Sequence, residues 1–341
     1  MPSKSVRTSL ALAAAGFALL GLAGPASAQS CDRACLIDVT DRYIAALVAH
    51  DPSKAPLAPG VAFVENVARM QPGEGLWKTT TAGPTGFSIH VPDVTWQQAG
   101  WMGVIQQDGK PVVLALRLKI ENGRITQAEH LYAPPMGAGA PGAAGNPNLA
   151  APRPGLLREI PAGRRLPHDR LIAIGRTYYD ALDDNDGSKM PFAADCQRRE
   201  NGVTTAGEGA GGPPIQDANP SPVAHDCKGQ IDSGTFIYIH RIENRRMVAA
   251  DPVTGLSMGL SHLRHPFTNL PYQVKHLDGS TSERNAQNMP YKPFDMPAAH
   301  IFKIGPDGAV HEIEAVGMMA PYNAPSGWEG TPDVATWIQP K

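Results

Sequence analysis

Tyr43-Ile44-Ala45-Ala46-Leu47, followed by Asp51-Pro52-Ser53-Lys54-Ala55-Pro56 and then Glu65-Asn66, decides the fold because it occurs twice. The second occurrence is Tyr178-Tyr179-Asp180-Ala181-Leu182, Asp186-Gly187-Ser188-Lys189-Met190-Pro191 and Glu200-Asn201. Tyr, Ala-Leu, Asp, Ser-Lys, Pro and Glu-Asn all return without a gap at one offset, that from residue 43 to residue 178. Self-similarity at a fixed spacing marks an internal duplication. Residues common to both copies point first to shared architecture, so Tyr43, Tyr178, Glu65 and Glu200 are read as packing, capping or turn groups before they are read as chemistry.

Each copy opens as a helix. Ile37, Tyr43 to Ala46, Leu47 and Val48 recur at three- and four-residue spacing, and Asp51-Pro52 stops the run. Leu171, Ile172, Ile174, Tyr178 and Leu182 do the same before Asp183-Asp184-Asn185-Asp186-Gly187. That acidic run lacks the remaining ligands of an EF-hand and reads as a helix-ending turn.

Each copy closes as a β-hairpin. Val112 to Ile120 and Ile125 to Leu131 flank Asn122-Gly123, and Ala299 to Ile304 and Ala309 to Val316 flank Asp307-Gly308. These dipeptides favour the tight turn between antiparallel strands. Thr235 to Ile242 and Met247 to Ala250 read as a further strand pair around Glu243-Asn244. The expected plan is a unit over 29–135, a Pro/Gly/Ala-rich linker over 136–165 and a second unit over 166–322. The second unit carries insertions near 202–226 and 266–297, and a tail occupies 323–341.

The first 28 residues read as a secretory signal peptide. Lys4 and Arg7 precede an apolar run from Leu10 to Leu22, and Ala26-Ser27-Ala28 places cleavage before Gln29. The run is too short for a bilayer core of roughly 30 Å, and Ala28-Gln29-Ser30 is too polar for a lipobox ahead of Cys31. The expected location is periplasmic or secreted, with no membrane anchor. Removing Lys4 and Arg7 takes the formal charge from −2 to −4, which excludes a broad electrostatic footprint for nucleic acid. In an oxidising compartment four cysteines suggest two disulfides. Of three pairings we favour Cys31–Cys35 with Cys196–Cys227, the latter clipping a Gly/Pro/Asn-rich loop. No metal is expected at Cys31-x3-Cys35, which lacks a second ligand pair.

Helix first, then strands closing on a curved sheet, with the repeated Tyr…Ala-Leu…Asp…Glu-Asn, resembles the SnoaL-like branch of the NTF2-like superfamily. The stretch from Glu65-Asn66 to Gly75-Leu76-Trp77-Lys78-Thr79 is similar to a group of secreted bacterial and fungal proteins of this fold. The resemblance implies an α+β chain of two tandem NTF2-like (cystatin-like) units, each with helices packed on a curved antiparallel sheet, together forming an intramolecular pseudo-dimer. It implies a concave cavity, used elsewhere in the superfamily by isomerases, dehydratases, aldol-type cyclases and lyases, and also by proteins that only bind or dimerise. Fold alone does not choose among these.

Candidate site residues are ionisable groups inside apolar strands. In copy two, Tyr238 and His240 alternate on one expected strand, and Ser261-His262-Leu263-Arg264-His265-Pro266 ends another. His262 or His265 would supply a base, with His240 as a further candidate and Arg264 as the group holding developing negative charge. A solvated turn is the plain alternative. In copy one, His90 shares a strand face with Ser88, and Asp93 orients it if the chain bends at Pro92. Trp96 and Trp101 would form an aromatic wall, or else core, and His130 lies beside Tyr132 at the hairpin end. The leading expectation is a lyase, hydratase or isomerase that works without a cofactor, by acid–base chemistry on a small, partly apolar molecule. The alternative is a non-catalytic periplasmic small-molecule-binding or scaffold protein. A hydrolase needs three convergent ligands that the sequence does not supply, and no phosphate loop or nucleophile elbow is present.

Overall fold

The computed structural model describes residues 1–2, 30–136, 146–210 and 226–331. The signal-peptide reading at 3–28, the linker's first stretch at 137–145, the loop at 211–225 and the tail from 332 lie outside the described residues.

The first unit begins with α1 (Arg33–Val48), capped by Asp32, whose carboxylate accepts the Cys35 N–H at 2.8 Å. Cys31 sits just before that cap and Cys35 in the first turn, so the Cα atoms come within 5.2 Å and the Cys31–Cys35 disulfide closes. β1 (Leu57–Glu65), β2 (Ala68–Met70), α2 (Leu76–Thr79), β3 (Thr80–Ala82), β4 (Ser88–Asp93), β5 (Gln98–Gln107), β6 (Lys110–Glu121) and β7 (Arg124–Ala133) follow. Asn122 and Gly123 both hold positive φ between β6 and β7, as the tight hairpin requires. The strand order is β2-β1-β7-β6-β5-β3, with β4 beside β5.

After α3 (Pro154–Leu157), the second unit repeats the plan. It contains α4 (His168–Asp184), β8 (Phe192–Glu200), β9 (Val203–Ala206), α5 (Cys227–Asp232), β10 (Arg241–Asp251), β11 (Leu256–His265), β12 (Tyr272–Lys275), β13 (Thr281–Arg284), β14 (Phe294–Ile304), β15 (Val310–Gly317) and β16 (Ala320–Pro321). Asn185 in the left-handed region ends α4, and Asp186 then caps Ser188 just as Asp51 caps Ser53 after α1. The main sheet runs β10-β11-β14-β15-β8-β9, with β16 beside β14. The Cys196–Cys227 disulfide ties β8 to α5.

The architecture is α+β, two helix-and-sheet units, with three corrections to the expected form. The sheets are mixed, because β1 pairs parallel with β7 and β8 with β15. Hairpin signals report only antiparallel neighbours, whereas a parallel pair is closed by a long crossover. The first sheet curves into a half-barrel, but the second is neither closed nor strongly curled. Finally, the expected strand over Thr235–Ile242 is a turn. β10 starts only at Arg241 and runs through Glu243-Asn244 as a bulge, with Asn244 at φ +49°.

The helices cover one face of each sheet, and the other faces pack together. Met102, Val104, Val113, Ala115 and Leu131 meet Val248, Leu256, Met258, Leu260, Ile301 and Val316 in one core. Polar pairs cross the same contact: Arg246 grips Glu129 with two bonds of 2.7 and 2.6 Å, and Arg33 reaches Asp251 at 3.0 Å. This back-to-back packing is consistent with an intramolecular pseudo-dimer. The described part of the linker lies against it. Leu149, Leu156 and Ile160 are buried, and Arg153 bonds the Ile313 carbonyl at 2.7 Å.

Candidate functional site

Strand registers define one matching row of residues across the helix-facing side of each sheet. In the first unit the row is Glu65–His130–Leu116–Trp101–His90. In the second it is Glu200–Ala315–His300–Gly259–Met247. The outermost glutamates match, and the interiors diverge.

The first interior is sealed. Tyr43 Oη lies 2.9 Å from His130 Nε2, and His130 Nδ1 lies 2.9 Å from Glu65 Oε2. Burial pushes the Tyr43 phenol up, with the Glu65 charge adding to it, so Tyr43 remains a donor. Glu65 also accepts the Leu76 N–H at 3.1 Å, which docks α2 over it. Trp101, fully buried, fills the middle of the row and donates to Ser88 at 2.8 Å.

The second interior replaces that filling with charge. The repeat offset aligns Phe63 with Arg198, and Arg198 Nε donates to Tyr178 Oη at 2.9 Å. Its other nitrogens donate to Thr205 at 2.7 Å and to Glu200. His300 packs against Tyr178 and Phe302, and burial plus the nearby Arg198 push its imidazole well below the usual histidine range. Tyr179 lies over Gly259, where an added Cβ would come within 2.5 Å of its hydroxyl. Glu65 keeps 3% of its side chain exposed, whereas Glu200 keeps 15%.

Tyr238 packs on both the main core and the 266–297 insertion. His265 stacks on Phe294 with ring centres 4.4 Å apart and on Tyr238 at 5.3 Å. The insertion is not merely polar: it contains the β12–β13 hairpin and a small core of Tyr272, Val274 and Met289.

The sequence candidates separate. His262 and His265, three residues apart on a strand, necessarily face opposite sides of the sheet. His262 and Arg264 point to the contact between units. Asn244 donates to His262 Nδ1 at 3.3 Å, and burial with Arg264 and Arg246 nearby lowers its pKa to about 4. Arg264 is engaged by Glu243 at 2.9 Å and by Asp295. His265 points inward, donates to the Leu263 carbonyl at 3.0 Å, and is lowered by burial to about 4. His240 is exposed in the segment before β10, so it does not share a strand face with Tyr238. His90 bonds Asp41 of α1 at 2.8 Å. Asp93 instead holds His168 at 2.8 Å and the Ala250 and Trp96 N–H groups. Trp96 is part-exposed against His168, and Trp101 is core.

Sequence reasoning missed Arg198 and His300. Arg198 was detectable as a charged residue where the repeat offset places Phe63, whereas His300 matches Leu116 only through the strand registers. Among the described residues, no three His, Cys, Asp or Glu side chains are grouped to hold a metal ion, and no helix is long and apolar enough to cross a membrane. A separate open groove of about 700 Å³ lies between the β1–β2 turn and the 321–329 segment.

A family model described as a domain of unknown function (DUF8021) matches residues 164–317, which is most of the second unit. No curated protein matches the chain. Among solved structures, a protein from Sphaerobacter thermophilus is similar at 15% identity and a TM-score of 0.23, over 28% of this chain and 94% of that one. A putative polyketide cyclase from Silicibacter sp. TM1040 is similar at 12% identity and a TM-score of 0.24, over 45% and 92%.

Proposed function

We propose that this is an exported protein of two NTF2-like units in which the second unit carries the working site. The first unit serves as its rigid pseudo-symmetric partner. The activity is that of a lyase, hydratase or isomerase, exerted by acid–base chemistry on a small, partly apolar molecule without a cofactor. The carrying observation is the replacement of Phe63 by Arg198 at matching positions, beside a glutamate that stays partly exposed. Acid–base catalysis needs a proton carrier next to donors aimed at developing negative charge. Glu200 is the carrier in this reading, and Arg198 with the Tyr178 and Tyr238 hydroxyls supplies the donors. Tyr238, His265 and Phe294 form the apolar wall.

The test is to screen the mature protein against aromatic, sugar-derived and keto-acid compounds, alongside Glu200→Gln and His300→Asn. A conversion abolished by Glu200→Gln, with the fold retained, supports the reading. Turnover unchanged in both variants overturns it. One observation favours the alternative, a binding or scaffold protein: Arg198 is already engaged by Tyr178, Thr205 and Glu200 within the protein. Saturable binding without conversion would select that alternative.

A further inference from the structure

Residues 321–329 leave the second unit as a strap and seat on the first. The Ala324 N–H donates to Asp295 at 2.8 Å and its carbonyl accepts from Arg264 at 3.1 Å, which holds the strap to the β11–β14 pair. Trp328, 4% exposed, then packs on the Arg117 guanidinium of β6, 5.6 Å from the ring centre. Gly327 lies so close to the β1–β2 turn that an added Cβ would meet the Val67 carbonyl at 2.9 Å.

The groove of about 700 Å³ lies open between this turn and the strap. Its volume falls within the roughly 300–1,000 Å³ of ordinary binding pockets. The contacts above fix its walls, and Ala68, Pro321, Tyr322 and Pro325 line it as exposed residues. Met319, just before the strap, is 64% exposed. Exposed apolar residues gathered in one place mark a contact site.

The chain itself leads to this groove. Arg69 lines it and also donates to the hydroxyl of Thr331, whose own N–H closes on the Trp328 carbonyl at 3.0 Å. Residues 332–341 therefore start at the groove's rim, and they include Val334, Trp337 and Ile338. Trp337 follows Thr331 by six residues, an extended reach of about 20 Å at most. A short tether also holds its end at an effective concentration in the millimolar range, which no partner in dilute solution matches.

We infer that residues 332–341 of the same chain occupy this groove, with Trp337 and Ile338 set against Ala68, Tyr322 and Pro325. The strap joining the two units is then clamped from outside, and a large apolar ring leaves water. This seating is independent of any chemistry in the second unit.

The experiment titrates a fluorescein-labelled peptide of residues 332–341 onto the full mature chain, and onto the same chain carrying Trp337→Ser with Ile338→Ser, by anisotropy. Self-occupancy competes with the peptide. With a millimolar tether and an affinity on the order of 100 µM, it lowers apparent binding about tenfold. We therefore expect the double variant to bind the peptide about tenfold more tightly than the native chain. Ala68→Glu or Tyr322→Ser, both at exposed positions, should remove most of that binding when added to the double variant, with circular dichroism unchanged. Absence of binding to the double variant, equal binding to it and the native chain, or binding untouched by both groove changes overturns the inference. Sedimentation at rising concentration tests a second copy as the occupant. A monomer throughout supports the seating, and a dimer that the double variant loses overturns it by placing residues 332–341 in a neighbouring molecule's groove.

Discussion

Arg198 donates to the hydroxyl of Tyr178 at 2.9 Å, from the position that Phe63 holds beneath Tyr43 in the first unit. The same tyrosine hydroxyl therefore meets a guanidinium in one copy and the His130 imidazole in the other.

That relationship predicts a coupled loss. Arg198→Leu strips the charge partner from the partly exposed Glu200 and the donor from Tyr178. Removing one member of a fully buried pair costs about 3–5 kcal/mol, and the partial exposure of Glu200 places this loss below that range. Glu200→Leu in the Arg198→Leu background should cost clearly less than in the native background. Urea unfolding of the four proteins measures the cycle, and additive losses would show that the two groups do not interact.

His262 and His265 set a pH window. Both are lowered to about 4, mainly by burial, against about 6.5 when unfolded. A depressed histidine is neutral in the fold, so its contribution is full above pH 6.5 and falls away as pH drops toward 4. The loss is on the order of a few kcal/mol for each histidine. His265→Phe, which continues the stack on Phe294 without titrating, should flatten the fall between pH 6.5 and 4. Thermal melts at pH 7, 5 and 4 check this, and an unchanged slope would refute it.

Much of this was legible, and the remainder has definite physical reasons. The repeat located both helices, and Asn122-Gly123 and Asp307-Gly308 located both hairpins, because each rests on local chemistry. The parallel β1–β7 and β8–β15 pairs were hidden, since no short-range signal encodes a partner some sixty residues away or more. His262 and His265 are close in sequence yet fall on opposite faces, as period-two alternation along a strand requires. Arg198 and His300 stand where the two copies differ, and a repeat is recognised by agreement.

Val67 carries backbone strain that its counterpart avoids. Its φ is +66°, and the matching residue of the second copy is Gly202, at φ +85°. A β-branched side chain is a true outlier there. Relief of roughly 1–3 kcal/mol of strain exceeds the roughly 0.5–1 kcal/mol that glycine costs in chain entropy. Val67→Gly should therefore stabilise the protein by about 1 kcal/mol. Gly202→Val should destabilise it, since even a Cβ there comes within 2.7 Å of Leu149. Denaturant midpoints of both variants decide the matter, and a destabilised Val67→Gly would remove the strain argument.

The centre of each row is filled by a different residue, and the two solutions are interchangeable in principle. Trp101 projects from the sheet in the first unit, with Ile44 on the helix, whereas in the second Gly259 leaves room and Tyr179 descends from the helix. Ile44 and Tyr179 stand at the repeat offset, so bulk has moved from strand to helix. Gly259→Ala should cost more than about 1 kcal/mol, because overpacking a tight core typically costs 1–3 kcal/mol and the Tyr179 hydroxyl must yield. Trp101→Gly should cost at least 3–5 kcal/mol, roughly the range for truncating a buried tryptophan to alanine. Adding Ile44→Tyr should return part of that loss, since the new ring enters the vacated volume as Tyr179 does over Gly259. If the double variant is no more stable than Trp101→Gly alone, the two interiors are not equivalent packings of one plan. Urea unfolding of the single and double variants reads the difference directly.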